Sequence, residues 1–431
     1  MVGLGWGAAC NGTSTGNPME SPGTAGKSGG LGEGMQLLMS SVPRDMNPAV
    51  SDDDVAALAA DNRAFAFDLY RKLATAEDNL FFSPFSISVA LGMTYPGARD
   101  TTKASMSEVL HFNLPEPALH SAFNSALSAL QARSSELAED SKGSGFELRS
   151  VNQAFGQRDY PFLEPYLDVL AQHYGSGLVT VDFARSEEAR TSINDWVAQQ
   201  TETRVKDLLP PGSLTGDTRL VLTNAIYFKA NWLSQFEVED TVDAPFLAPA
   251  GTRTVQMMKQ RLTGAYAEGQ GYQAVELPYL SPAVRMLLIL PAEGELVRFA
   301  ARLDEALLSE VIGDLREHEV ALALPRFSFE SETRLKGPLQ ALGMSLPFQG
   351  EADFSGIAGG VEPLWIDEVY HKAFVALDEK GTEAAAATAV VVTTESAKPV
   401  ASITFDRPFV FCIYDQPTGQ ILFLGQLADP G

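Results

Sequence analysis

Basic charge is in short supply in this chain. Its 431 residues hold 31 Lys and Arg against 55 Asp and Glu, a formal charge of −24 at pH 7. Phosphate and anionic-lipid surfaces are bound through Lys and Arg, so this excess opposes nucleic acid as a partner. Cysteine is scarcer still, with only Cys10 and Cys412. No disulfide framework can be built from two thiols, and the fold must rest on an apolar core. With 45% apolar residues the chain can form a large one. No apolar run reaches the roughly 18 residues that a membrane helix needs. The five histidines (His111, His120, His173, His318, His371) are scattered, and HExxH, CxxC, P-loop and EF-hand patterns are missing. Metal and nucleotide chemistry are therefore disfavoured, and no cofactor is expected.

The first 50 residues lack hydrophobic periodicity and are rich in Gly, Ser, Thr, Pro and Asn. They read as a disordered leader or tether, with the folded domain spanning 51–429. Gly12-Thr13-Ser14-Thr15-Gly16 spells the nucleophile-elbow pattern, but neither a strand nor a helix flanks it, so a hydrolase using Ser14 is disfavoured. Cys10 closes the run GWGAAC, which resembles the lipid-attachment site of bacterial envelope lipoproteins. No Lys or Arg precedes it, however, and the apolar region is very short. The expectation is an extracellular or cell-envelope protein, reaching a membrane only through a lipid on Cys10.

Beyond the leader, helices and strands alternate without a regular period. Ser51 followed by Asp52, Asp53 and Asp54 is a helix start, with the acids beside the positive helix end. Ser83-Pro84 reads as cap and first residue of an apolar helix. Further helices are expected at 115–133 and 187–208, and strands at 146–155, 178–183 and 220–233. Many strands with interspersed helices and no βα repeat predict an α+β fold.

One segment stands apart. Between Glu383 and Glu395 lie eleven residues of Ala, Val and Thr alone, uncharged and free of Gly and Pro. Ala favours helix while Val and Thr favour extended backbone, so the segment has no single local preference. As a strand it would present Thr382, Ala384, Ala386, Thr388, Val390, Val392 and Thr394 on one face, all small or β-branched. Its flanks, LWIDEVYHKAFVALDEKGTEAA and SITFDRPFVFCIYDQPTGQILFLGQLADP, resemble the strands around the reactive loop of serpins, the large serine-protease-inhibitor family. NLFFSPFSISVALGMTYPGARDTT near the start of the domain is similar to the same family.

That resemblance carries definite implications. It implies a large central β-sheet with two smaller sheets, roughly eight or nine helices and an exposed reactive loop at about 379–400. It implies a monomeric inhibitor whose partner is a serine endopeptidase, or else a cysteine one, trapped when the cut loop inserts into the sheet; the alternative is a non-inhibitory carrier or chaperone on the same fold. The hinge would be Glu379, Gly381, Thr382, Glu383, Ala384, Ala385, Ala386, Ala387 and Thr388. Ser83, Ser86, Asn224 and His371 would meet behind the point where the sheet opens, with Trp232 at its top. The usual loop count places the scissile bond at Glu395–Ser396, with Thr394 or Val392 as alternatives, fitting a glutamyl- or elastase-like protease. Some relatives bind glycosaminoglycans through the helix at 115–133. Here its one cation is Arg133, so no such partner is expected.

Overall fold

The computed structural model describes residues 31–32, 34–140, 147–281, 283–360, 362–382 and 400–431, with the backbone alone at 134–140. The first part of the domain holds β1 (Gln36–Leu38), α1 (Asp52–Leu73), β2 (Leu80–Phe82), α2 (Pro84–Thr94), α3 (Asp100–Leu110) and α4 (Glu116–Asp140). Next come β3 (Glu147–Gln157), α5 (Glu164–Val169), β4 (Leu178–Val181), α6 (Ser186–Gln200) and β5 (Leu220–Asn231). A strand-rich stretch follows, with β6 (Val242–Ala248), β7 (Gly251–Gly269), β8 (Tyr272–Pro278) and β9 (Val284–Pro291). Two helices, α7 (Leu296–Arg302) and α8 (Glu305–Asp314), lead to β10 (Arg316–Pro325) and β11 (Phe327–Arg334). The rest is α9 (Lys336–Leu342), α10 (Ser355–Ala358), β12 (Val369–Asp378), β13 (Gly381–Thr382), β14 (Val400–Thr404), β15 (Phe409–Asp415) and β16 (Gln420–Leu427).

The architecture is α+β. One sheet has seven strands in the order β1-β4-β3-β5-β13-β12-β11. The remaining nine form a second hydrogen-bonded system, β14-β10-β7-β8-β9-β15-β16-β2 with β6 on β7. Between them runs α2, whose eleven residues are all buried. A helix apolar on every side belongs inside a core. Its start follows from sequence: Ser83 caps it by accepting from the Ser86 N–H, and Pro84 takes the first turn. Ser51 likewise forms a capping box with Asp54. Aromatic rings pack between the sheets, Phe81 of β2 meeting Phe329 of β11 edge-on at 6.5 Å. No described helix is long and apolar enough to cross a membrane.

Two boundaries differ from the sequence reading. The leader expected over 1–50 does not reach residue 50, because Gln36–Leu38 pairs with β4 as the outermost strand of the seven-stranded sheet. Residues 40–47 then lie against the helices: Arg44 bonds Asn124, and the Asp45 N–H donates to Gln172 O at 2.9 Å. The helix expected to reach 208 stops at Gln200. Thr201, Val205, Leu208 and Leu209 stay buried, so the apolar pattern continues, but Glu202, Thr203 and Asp207 take positive φ and break the helix. Cys10, Ser14 and residues 383–399 lie outside the described residues.

Candidate functional site

The centre of the seven-stranded sheet is divided in a particular way. Over Val369–Phe374, β12 pairs directly with β5, in parallel, from Val369 opposite Leu222 to Phe374 opposite Tyr227. Above this seam, β13 lies between the same two strands. It is antiparallel to both, with Thr382 opposite Leu377 on one side and Ala230 on the other. Two residues thus occupy a gap between the strands that closes at Phe374 and Tyr227.

The chain enters that position through a tight turn. Asp378 closes it by accepting the N–H groups of Lys380 and Gly381 on its carboxylate. Glu379 is tied down twice, by Phe236 N–H to its carbonyl and by the Thr241 hydroxyl to its carboxylate at 2.8 Å. Arg326 stands 3.6 Å from the same carboxylate. Gly381 has φ of 154°, and a Cβ there would fall 2.2 Å from the Ala230 carbonyl oxygen, so no side chain fits. Thr382 is buried, its hydroxyl 2.8 Å from the phenol of Tyr279. Tyr279 stacks on Trp232 with rings 4.6 Å apart, and the Trp232 indole donates to the Asp378 carbonyl. The sequence singled out Glu379, Gly381, Thr382 and Trp232 here but not Tyr279, which reads as one more aromatic on a strand.

Lower down, the four polar residues flagged in apolar segments do come together. His371 and Asn224 are opposite one another across the seam. Burial pushes the His371 imidazole down to about 3, so the ring is neutral at physiological pH. Its Nε2 accepts from the Ser83 N–H at 3.2 Å, which places the proton on Nδ1, donated to Asn224 Oδ1 at 2.5 Å. Asn224 Nδ2 donates to Ser86 Oγ at 2.6 Å and to Asn152 Oδ1. Ser86 Oγ also lies 2.7 Å from Ser150 Oγ. Ser150 and Asn152 complete the network from β3 and were missed, since alternating polar residues on a strand look like a solvent face.

This network is not catalytic machinery. His371 meets Ser83 through the backbone N–H, while the Ser83 hydroxyl is occupied as a helix cap. Ser83, Ser86, Asn224 and His371 have no exposed surface, so no substrate reaches a hydroxyl–imidazole pair. Cys412 is equally inert, buried with its thiol pushed up to about 12 by desolvation. The arrangement instead joins α2, β12, β5 and β3 across the seam. Its His371–Asn224 bond links the two central strands. Glu383, Ala384, Ala385, Ala386, Ala387 and Thr388 of the expected hinge, and Val392, Thr394, Glu395 and Ser396 of the expected cleavage region, lie outside the described residues.

Comparison with known proteins matches this geometry. A family model described as serpin (serine protease inhibitor) fits residues 60–430. An uncharacterized serpin-like protein of Thermococcus kodakarensis is 42% identical over 371 residues, 85% of this chain and 84% of its own. The leukocyte elastase inhibitor of Sus scrofa is 39% identical over 386 residues, 86% of this chain and 99% of its own. Among solved structures, human thyroxine-binding globulin superimposes with a TM-score of 0.77 at 30% identity, covering 88% of this chain and 99% of that one. The chain belongs to the serpin family, and its fold and family fit a protease inhibitor in place of an enzyme.

Proposed function

We infer that this protein is an irreversible suicide-substrate inhibitor of serine endopeptidases, acting once per molecule as a monomer. The observation that carries the reading is β13: Gly381 and Thr382 are already paired on both sides at the head of a parallel seam. A protease that cuts the loop beyond 382 forms an acyl-enzyme and frees the loop from its C-terminal tether. The strand then continues between β12 and β5. Each step replaces one parallel pairing with two antiparallel ones, and parallel pairing is the weaker per residue. About 14 residues at roughly 3.3 Å each make a strand near 45 Å, enough to drag the attached protease across the molecule before water deacylates it.

Register supports the assignment of Glu379 to Thr388 as the hinge. Carried on from Thr382, the strand would place Thr388 opposite His371 and Asn224 at once. Its hydroxyl would arrive where the seam's own side-chain bond had been. The uncharged residues Ala384–Thr388 fit this path without burying a charge. For the cut itself we favour Glu395–Ser396, with Thr394 or Val392 as neighbouring choices. An acid-preferring glutamyl protease suits the first and an elastase-like one suits Val392, and several relatives are named as leukocyte elastase inhibitors. An extracellular or cell-envelope site of action, with Cys10 as a lipid anchor, belongs to the same proposal.

The test is incubation with elastase-like, glutamyl-specific and trypsin-like proteases, read on denaturing gels with sequencing of the released C-terminal peptide. A detergent-stable adduct with one protease class is the expected result. Clean cleavage without any adduct would leave the carrier or chaperone reading in its place.

A further inference from the structure

Away from the divided sheet, two histidines meet in the interior. His120 lies on α4 and is 3% exposed; His173 lies in the π-helical turn Leu170–Tyr174 that follows α5. Their rings are 5.8 Å apart. Each has one buried nitrogen with no hydrogen-bond partner, Nε2 of His120 and Nδ1 of His173. His120 Nδ1 is joined to the Tyr174 hydroxyl at 2.8 Å. An unpaired buried polar atom calls for a reason. A π turn is itself an irregularity that clusters at functional positions.

The charged groups around the pair are few. On α4, Glu116 Oε1 stands 3.7 Å from His120 Nε2, and the Lys103 ammonium of α3 already bonds its other oxygen. On α5, Asp168 is bonded by Ser40, and the Tyr166 and Tyr174 phenols are raised by burial and so neutral. From α2 comes Gly92, beside Phe123 and the Tyr174 hydroxyl. The N-terminal segment supplies Arg44, bonded to Asn124 and Ser128, and Asp45, whose carboxylate favours a charged His173. Burial and the neighbouring His120 act the other way on His173 and outweigh it, lowering its affinity for a proton. Among the described residues no three His, Cys, Asp or Glu groups converge as a metal ion requires.

The same junction holds the N-terminal segment in place. Asp45 N–H donates to Gln172 O in the π turn, and Asn124 Nδ2 donates to Asp45 O, each from an element carrying one of the two histidines. We propose that the junction of His120 and His173 is an acid-sensitive latch: the packed His173 ring takes up a proton when the π turn parts from α4, and that opening releases residues 34–50, including β1, from the sheet. Histidine suits this because an unencumbered imidazole charges in the mildly acidic range. Release would bare the outer edge of β4, an unpaired strand able to pair with another chain.

The test is hydrogen exchange on the full chain at about pH 7.5 and pH 5.5, corrected for the intrinsic rate, comparing the wild type with H173Q and H120Q. In the wild type, amides of 34–50 and 166–176 should exchange several-fold faster in acid while β5 and β12 remain protected. H173Q removes the titrating ring and should abolish that acceleration; H120Q removes a neighbour that opposes its charge and should reduce it. Wild-type exchange that is unchanged in acid would overturn the proposal whatever the variants do. Equal acid sensitivity in H173Q would also overturn it. Should one variant fail to fold, the other and the wild type still decide.

Discussion

His371 of β12 and Asn224 of β5 stand opposite each other in register, and the imidazole Nδ1 donates to the amide oxygen across the seam between the two strands. One side-chain bond therefore reinforces the backbone ladder where these two strands pair directly.

Removing it should loosen the native state. In Asn224→Ala, the buried His371 Nδ1–H loses its acceptor, and Ser86 Oγ and Asn152 Oδ1 lose the donor they share. Leaving such groups unpaired costs about 1–3 kcal/mol. Urea midpoints should fall accordingly, and warming should produce polymers sooner, seen by size-exclusion chromatography. Unchanged stability would mean the network is not a clasp.

Acid should weaken the same clasp. The folded-state value for His371 is depressed to about 3 from 6.5, with burial as the cause. A depressed folded value gives stability that is complete above pH 6.5 and is lost as pH falls from there toward 3. At pH 5 the loss would be about 2 kcal/mol, taking about 1.4 kcal/mol per unit. Urea titrations at pH 7.5 and 5 should show this difference in the wild type and a smaller one in His371→Gln, which keeps a donor and an acceptor but cannot charge.

The hinge offers a separate handle. Thr382 is enclosed, with its hydroxyl on Tyr279 and its backbone paired on both sides. Thr382→Arg would place a cation in the sheet interior and block the strand at its first inward position. The expected outcome is conversion from inhibitor to substrate, read as cleaved protein replacing the detergent-stable adduct. Parental adduct yield in this variant would refute the hinge assignment.

Much of this was legible in the sequence, and the exceptions have physical causes. Ser51 and Ser83 announced their helices because caps use local chemistry. Ser83, Ser86, Asn224 and His371 stood out because each is polar within an apolar run, a mismatch that only a partner resolves. Ser150 and Asn152 gave no such signal, being spaced like any solvent-facing pair on a strand. Gln36–Leu38 was invisible for another reason: three residues hold too little pattern, and their pairing depends on β4, some 140 positions away in the chain. The turn after α6 misled because burial continues through Thr201, Val205 and Leu208 after the helix has ended. The β12–β5 seam with β13 at its head is a relation between distant strands, which local pattern does not encode.

Cutting the loop supplies the last prediction, because it tests stored energy without changing the hinge. If the native sheet is kinetically held short of its most stable arrangement, a nick between 383 and 399 lets the strand enter and the melting temperature rises sharply. Trp232 should report the event directly: it is buried against Tyr279, which bonds Thr382 at the entry point, so its emission should change as the strand passes. The chain has four tryptophans, so the signal is assigned by its loss in Trp232→Phe. A limited digest with an elastase-like protease, followed by parallel melting and fluorescence scans, provides both readings. A nicked chain that melts where the intact one does, with Trp232 emission unmoved, would show that no strand had entered and that the sheet holds no such reserve.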